Sequence, residues 1–273
     1  MRFYQHEVKL QGDGMLKDIN LFGNTDKVKI AIERLKTFEP DEGYYLAFSG
    51  GKDSVVIKAL AEMAGVKYDA HYNLTTIDPP ELVQFIKREH PDVIRHRPPV
   101  PFLVQLVKNG FPQRQRRWCC RLLKEKGGEG RVVLTGVRSA ESNQRSKRKM
   151  VEGCRTSPDK RYLHPIIDWS DAEVWQFIRE NGLPYCKLYD EGWKRVGCLF
   201  CPMAYEKQRL RHATLYPIYT KSYIRAFTKL YDKKIKEGKC ETVERWKDGE
   251  DMFWWWLRGN SKRTNDDQVS IFD

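Results

Sequence analysis

The sequence has no run of about 18 consecutive apolar residues, the length a membrane-crossing helix needs, so nothing in it reads as a transmembrane span. The opening Met1-Arg2-Phe3-Tyr4-Gln5-His6-Glu7 lacks the apolar core of a signal peptide. The expectation is a cytoplasmic protein with no membrane partner. No internal repeat is evident, so a repeat array is not expected. Negative charge is the scarcer sign: 37 Asp and Glu stand against 49 Lys and Arg, a formal charge of +12. That balance suits polyanions such as nucleotides or nucleic acids, or else marks a solvated surface, and charge alone does not decide. The basic residues cluster in Arg114-Gln115-Arg116-Arg117, Arg145-Ser146-Lys147-Arg148-Lys149 and Arg209-Leu210-Arg211-His212. Structural disulfides are not expected of the seven cysteines in a cytosolic chain, which leaves metal or redox use.

What is present is a 273-residue chain, 40% hydrophobic and 32% charged, long enough for one α/β core with an appendage. Asp26–Phe38 carries Val28, Ile30, Ala31, Ile32 and Leu35 at helical spacing. Strand and helix signals then alternate. Tyr44–Phe48, Tyr68–Asn73, Val93–Arg95 and Arg131–Gly136 read as strands. Val55–Met63, Pro80–Glu89 and Phe102–Asn109 read as helices, and Asp168-Trp169-Ser170-Asp171 caps another that runs through Arg179. Such alternation predicts an α/β fold with a mostly parallel, doubly wound sheet, whose ligands sit beyond the carboxyl ends of the strands. Ala204–Lys236 and Lys239–Gly259 are basic, aromatic and helical in period. The expected organisation is an irregular segment over 1–24, a nucleotide-binding α/β domain over 25–202 that includes the cysteine centre, a helical subdomain over 203–259 and a polar tail over 260–273.

The segment Ser49-Gly50-Gly51-Lys52-Asp53-Ser54 joins the first apolar strand to the helix that follows. Two adjacent glycines let backbone N–H groups crowd an anion without Cβ clashes. The helix start adds free N–H groups and partial positive charge. Lys52 brings a mobile cation, Ser49 and Ser54 bring hydroxyls, and Asp53 implies Mg²⁺ or a capping role. The first glycine of the G-x-x-x-x-G-K-[ST] loop is missing, so this is not the ordinary NTPase loop.

Cys119 and Cys120 are adjacent, and Cys198-Leu199-Phe200-Cys201 is a C-x-x-C. Two close pairs of thiolates suit a tetrahedral Zn²⁺ or an iron–sulfur cluster. Adjacent cysteines reach the corners of a [4Fe–4S] cube more easily than one small ion, and zinc is the alternative. Trp118, Leu122, Leu123, Leu199 and Phe200 would shield such a group, while Arg117, Arg121 and Lys124 would neutralise its charge. Cys154, Cys186 and Cys240 read as bystanders.

The SGGKDS stretch resembles the loop of the PP-loop ATP pyrophosphatases, which cleave ATP between its α and β phosphates. Together with the cysteines, the chain looks like the phosphoadenylyl-sulfate reductase family of PP-loop proteins, in its cluster-bearing branch. The resemblance runs from about Tyr44 to Pro202. Thr75-Thr76-Ile77-Asp78-Pro79-Pro80-Glu81, Cys119-Cys120-Arg121-Leu122-Leu123-Lys124 and Thr135-Gly136-Val137-Arg138 carry it, the last with Glu141, Ser142 and Arg145. His164-Pro165-Ile166-Ile167-Asp168-Trp169 and Leu188-Tyr189-Asp190-Glu191-Gly192-Trp193 extend it. The resemblance implies an adenine-nucleotide alpha-hydrolase-like fold that binds ATP with Mg²⁺. Ser49, Gly50, Gly51, Lys52, Asp53, Ser54, Thr75, Asp78, Gly136, Arg138 and Arg145 would be at the nucleotide. Lys52, Asp53 and Arg138 would carry catalysis, and Cys119, Cys120, Cys198 and Cys201 would hold the cluster.

One departure separates functions. Reductases of the family carry a catalytic cysteine in a Glu-Cys-Gly-x-His segment shortly after a tryptophan-rich run. Here Trp254-Trp255-Trp256 is followed by Leu257-Arg258-Gly259-Asn260-Ser261-Lys262, and no cysteine follows Cys240. Without that nucleophile the covalent reductase step has no evident residue. The resemblance therefore points to the pyrophosphatases that adenylate an acceptor so that sulfur replaces oxygen. DNA-phosphorothioation proteins, which work with a cysteine desulfurase, are the nearest pattern. Adenylylsulfate or phosphoadenylylsulfate reduction to sulfite and tRNA thiolation are the alternatives. A nucleic-acid acceptor agrees with the charge and with basic residues interleaved with Trp and Tyr.

Overall fold

A computed structural model describes residues 17–20, 23–154 and 157–259. The polar tail assigned to 260–273 lies outside them. The described residues divide into two compact units, one within 17–73, 79–96 and 126–197, the other over 74–78, 97–125 and 198–259.

The first unit includes an antiparallel ribbon, β1 (Lys17–Asn20) with β2 (Gly23–Asp26), so the end of the segment expected to be irregular over 1–24 is paired strand, while its residues 1–16 lie outside the described residues. Ile19 is the lone apolar residue in either short strand, so no alternation announces the ribbon. Helix α1 (Lys27–Thr37) follows at once, its N-terminus capped by Asp26, whose carboxylate accepts from Lys29 N–H at 3.0 Å.

The six-stranded sheet comprises β3 (Tyr44–Ala47), β4 (Tyr68–Asn73), β5 (Ile94–His96), β6 (Val132–Leu134), β7 (Val151–Gly153) and β8 (Arg161–Leu163). Its order is β5-β4-β3-β6-β8-β7, parallel except where β7 runs against β8. Strand β3 is central. Tyr44 and Leu46 are fully buried and Tyr45 nearly so, which is why this strand reads as a continuous apolar run. From β3 the chain winds outward through β4 and β5, then returns to β6 on the opposite side. The order thus reverses between β3 and β6, and the carboxyl end of such a reversal is where open α/β sheets leave a crevice.

Helices α2 (Lys52–Ala64), α3 (Pro80–Glu89) and α6 (Asp171–Glu180) complete this unit. Gly65 ends α2 in the left-handed conformation at φ 69°, the usual glycine stop. A full capping box starts α6: Ser170 Oγ accepts from Glu173 N–H, and the Glu173 carboxylate accepts from Ser170 N–H.

In the second unit, α4 (Phe102–Asn109), α5 (Trp118–Leu123), α7 (Glu206–Leu215), α8 (Pro217–Lys236) and α9 (Gly249–Arg258) assemble through aromatic contacts. Tyr223 and Phe227 on α8 meet Phe253 and Trp256 on α9, and Phe111 stacks on Phe227 at 5.6 Å. Gly249 permits the closest approach. A Cβ there would stand 2.2 Å from Thr228 Cα, so any side chain forces α8 and α9 apart. Both cysteine pairs belong to this unit, which corrects their assignment to the α/β domain. The chain enters the helical unit three separate times, and no single cut along the sequence reproduces that.

Candidate functional site

The Ser49–Ser54 loop connects β3 to α2. Gly50 adopts φ +71°, and a Cβ there would fall 2.6 Å from Leu82 and 2.8 Å from Ile86 on α3. The glycine is thus required twice, for the turn and for the close helix. Gly51 is the N-cap of α2 and offers no side chain. The hydroxyls of Ser49 and Ser54 lie 3.2 Å apart, and Ser54 Oγ donates to Gly51 O at 2.8 Å, tying the loop to its own helix. Lys52 N–H donates to the Tyr189 hydroxyl at 3.0 Å. Burial raises the pKa of that phenol despite the N–H, so Tyr189 stays neutral.

Arg138 reaches the same helix start from the segment after β6. Its Nε donates to Asp53 at 2.6 Å, Nη2 to Asp171 at 3.0 Å and Nη1 to Trp169 O at 3.2 Å. Lys52 Nζ lies 2.9 Å from the same Asp171 oxygen and 3.7 Å from Asp53. The Lys52 and Arg138 side chains are only 7% and 3% exposed, whereas that of Asp171 is 64% exposed. Two buried cations are therefore held between one sheltered and one solvent-facing carboxylate. Burial acts to raise the Asp171 pKa, but the Lys52 and Arg138 contacts outweigh it and hold it below the usual carboxylate value. For Arg138, burial acts downward and is outweighed by Asp53, so the guanidinium stays charged.

Gly136 makes the junction possible. A Cβ there would lie 2.8 Å from Asp53 Cβ and 2.9 Å from its carbonyl carbon. Arg145 stands one link away: it pairs with Glu141, whose carboxylate accepts the Arg138 N–H at 3.0 Å. Of the residues expected at the nucleotide, Ser49, Gly50, Gly51, Lys52, Asp53, Ser54, Gly136 and Arg138 come together. Asp171 and Tyr189 join them without having been singled out. Asp171 reads in sequence as part of a capping cluster, yet Ser170 does the capping and Asp171 turns to the cations.

Thr75 and Asp78 are placed in the helical unit, on Cys198. The Cys198 thiol lies 3.4 Å from Thr75 Oγ1 and 3.8 Å from Asp78 Oδ1, while Thr75 N–H donates to Asp78 at 2.7 Å. Cys119, Cys120, Cys198 and Cys201 all line one cavity of about 40 Å³ walled by Ile77, Phe102, Leu123 and Tyr223. Two non-glycine residues have left-handed φ, Phe200 of the cavity wall at 57° and Thr76, which lies in the chain between the wall residues Thr75 and Ile77, at 66°. Each such residue costs of order 1–3 kcal/mol and persists only where its surroundings hold it. Thr76 Oγ1 accepts from Phe102 N–H at 2.9 Å, and His212 Nδ1 accepts from the buried Phe200 N–H at 3.1 Å. Phe200, inside the C-x-x-C, lines the cavity together with both its cysteines.

Burial pushes the Cys198 thiol up to about 11, against the pull of Lys124. The Cys198 sulfur in turn raises the Lys124 pKa. Within the adjacent pair, Cys119 donates to Cys120, which favours thiolate on Cys120 and disfavours it on Cys119. Among the described residues, no three Cys, His, Asp or Glu side chains converge on a point as ligands of one metal ion. Of the other cysteines, Cys186 is buried, Cys154 accepts from Tyr162 OH at 3.8 Å, and Cys240 is exposed.

Residues 43–204 match the family model described as phosphoadenosine phosphosulfate reductase domain. An uncharacterized protein of Methanocaldococcus jannaschii is 32% identical over 63% of this chain, a match that spans 44% of that protein. A second from the same organism is 31% identical, with 35% of its length covered. The chain thus spans less than half of these two relatives. The adenosine 5'-phosphosulfate reductase of Staphylococcus epidermidis is 28% identical over 70% of this chain and 83% of its own. The crystal structure of phosphoadenylyl-sulfate reductase from Candida auris covers 62% of this chain and 87% of its own, with TM-score 0.47 and 20% identity.

Proposed function

The chain belongs to the phosphoadenosine phosphosulfate reductase domain family, and we propose that within it this protein is an ATP pyrophosphatase that adenylates a nucleic-acid acceptor for sulfur transfer. The observation that carries the reading is the convergence of Lys52 and Arg138, both almost fully buried, on the start of α2 beside the strand-order reversal. Buried cations at a helix N-terminus suit a polyphosphate rather than a neutral substrate.

In this reading the N–H groups of Gly50 and Gly51, with the Lys52 ammonium, stabilise charge on the departing pyrophosphate. Arg138 presents a planar fork to the α-phosphate or to the acceptor phosphate. Tyr189 holds the first turn of α2 in register through Lys52 N–H. Asp53 and Asp171 are the carboxylates that would hold Mg²⁺. That ion needs only one or two carboxylates beside phosphate oxygens and supplies further neutralisation of the polyphosphate. Cys119, Cys120, Cys198 and Cys201 would hold a [4Fe–4S] cluster, with a cysteine desulfurase as the sulfur source. Four thiols lining one apolar cavity support this assignment.

The test is pyrophosphate release from ATP and Mg²⁺ in the presence of DNA or tRNA, comparing native protein with Lys52→Ala. Release that depends on DNA and is lost in the variant is expected. Dependence on tRNA would move the acceptor to RNA, and release that survives Lys52→Ala would end the placement of the nucleotide. Anaerobic purification should yield iron and sulfide, and stoichiometric zinc in their place would overturn the cluster.

A second reading, reduction of adenylylsulfate to sulfite, is favoured by the likeness to the staphylococcal reductase. It would need a free thiol, and Cys240 is the exposed one. Sulfite formed from adenylylsulfate with a thiol reductant, and lost in Cys240→Ser, would establish it.

A further inference from the structure

The helical unit carries a second concavity, separate from the cysteine cavity. It is a groove of about 740 Å³ lined by Arg116, Arg117, Arg121 and Lys234 together with Trp118 and Trp246, and among the described residues no Asp or Glu lines it. That volume lies within the range of ligand-binding clefts. Its composition combines cations for a phosphate backbone with aromatic faces for bases. Trp118 is held in place rather than free: it stacks on Phe102 at 5.5 Å and 17°, and its indole N–H donates to Gly110 O at 3.1 Å. Arg114, in the same basic run, is spent on structure through Pro202 O at 3.1 Å, which leaves Arg116 and Arg117 to the groove.

We infer that this groove binds single-stranded nucleic acid, with Arg116, Arg117, Arg121 and Lys234 on phosphates and Trp118 as the base-stacking platform. Its assignment as the acceptor site rests on the adenylation reading above, whereas the binding itself does not. Helix α5 gives the placement meaning. Cys119, Cys120 and Leu123 line the cysteine cavity, while Trp118 and Arg121 line the groove. A strand in the groove therefore lies against the same short helix that supplies two of the four thiols. An acidic peptide would satisfy the cations but would leave the pinned indole without a planar partner.

The test is fluorescence anisotropy of the full chain with a short labelled oligothymidylate, without ATP, at increasing salt. Trp118→Leu is expected to weaken binding about ten-fold, since stacking on an aromatic contributes about 1–3 kcal/mol per base. The double variant Arg116→Gln, Arg121→Gln should lower the log–log salt slope by about 1.4, near 0.7 for each single-strand phosphate no longer neutralised. Arg116→Lys with Arg121→Lys should restore it, which a folding defect would not allow. Duplex DNA of equal length should bind more weakly, and oligouridylate comparably. No binding by the native chain, binding unmoved by both variants, equal affinity for duplex, or equal competition by polyglutamate would each overturn the inference. Binding through the groove without any pyrophosphate release would leave this inference standing and remove the adenylation reading. Release with an unaltered rate in the groove variants would leave the adenylation reading standing and remove the groove as its acceptor site.

Discussion

The loop site and the cysteine centre are built on opposite physical plans. At the loop, charge is gathered and compensated: Lys52 and Arg138 are buried beside Asp53 and Asp171, which face outward to differing degrees. At the cysteine centre, carbon is gathered instead. Phe102, Leu123, Phe200 and Tyr223 enclose four thiols, with Lys124 as the cation on the wall. The first plan suits a charged ligand that arrives and leaves, because its contacts are ionic and open to solvent through Asp171. The second suits a group that stays, because apolar walls exclude water and oxidant. The backbone agrees with this division. Glycine provides the tight turn at Gly50, whereas the bends at Thr76 and Phe200 are strained non-glycine residues held by their surroundings.

If the two plans are independent, each should fail without the other. Lys52→Ala is expected to cut pyrophosphate release by about 10²–10³ while leaving iron content unchanged. Loss of iron in that variant would show that the division is false. Acidification tests the helical unit. Burial lowers the His212 pKa to about 4, below the roughly 6.5 of an unfolded histidine. The neutral ring thus contributes stability that is complete above about pH 6.5 and is lost as pH falls toward 4, in total about 3 kcal/mol. His212→Asn retains the acceptor for Phe200 N–H and removes the titration. Hydrogen exchange in α7 and α8, corrected for intrinsic rate, should then depend less on pH. His90 and His164 are lowered to about 4 by burial in the α/β unit, so that unit should keep its own acid sensitivity.

A smaller separation is expected from Gly249→Ala, whose added methyl meets the Thr228 backbone. Overpacking of this kind costs about 1–3 kcal/mol, read as a lower melting temperature with iron lost before nucleotide binding. The smallest effect belongs to Asp171→Asn. The Asp171 pKa is lowered in the folded chain, so its contribution is present above the ordinary carboxylate range and disappears as pH drops through the folded value. The variant should show a shallower loss of stability below about pH 4, and an unchanged acid limb would mean that the pair contributes nothing.

Much of the loop site was legible in the residues. The apolar run Tyr44–Ala47, the glycine pair and the helix behind it announce strand, turn and helix through period and composition. Pro80 at the start of α3 and the Asp168–Asp171 capping cluster before α6 did the same for their helices. Strands β7 and β8 escaped notice because three residues give no periodicity, and only Leu163 of the six is fully buried. Asp171 and Tyr189 escaped because their role depends on distance in space from Lys52, which local pattern does not encode. Thr75 and Asp78 are expected at the nucleotide only because the family resemblance implies it. In the structure both hydrogen-bond with Cys198, in the helical unit to which 74–78 belong.

The quartet of Lys52, Asp53, Arg138 and Asp171 holds two positive and two negative groups, each already engaged. Such a constellation behaves as an ion exchanger rather than an electrostatic trap. An incoming phosphate must evict a carboxylate to reach its cation, so the observed affinity is the difference between two sets of contacts. Dilute salt should tighten nucleotide binding here far less than it tightens binding at the uncompensated arginines of the groove. On the adenylation reading, the evicted Asp171, already facing solvent, would be the carboxylate available to a divalent ion.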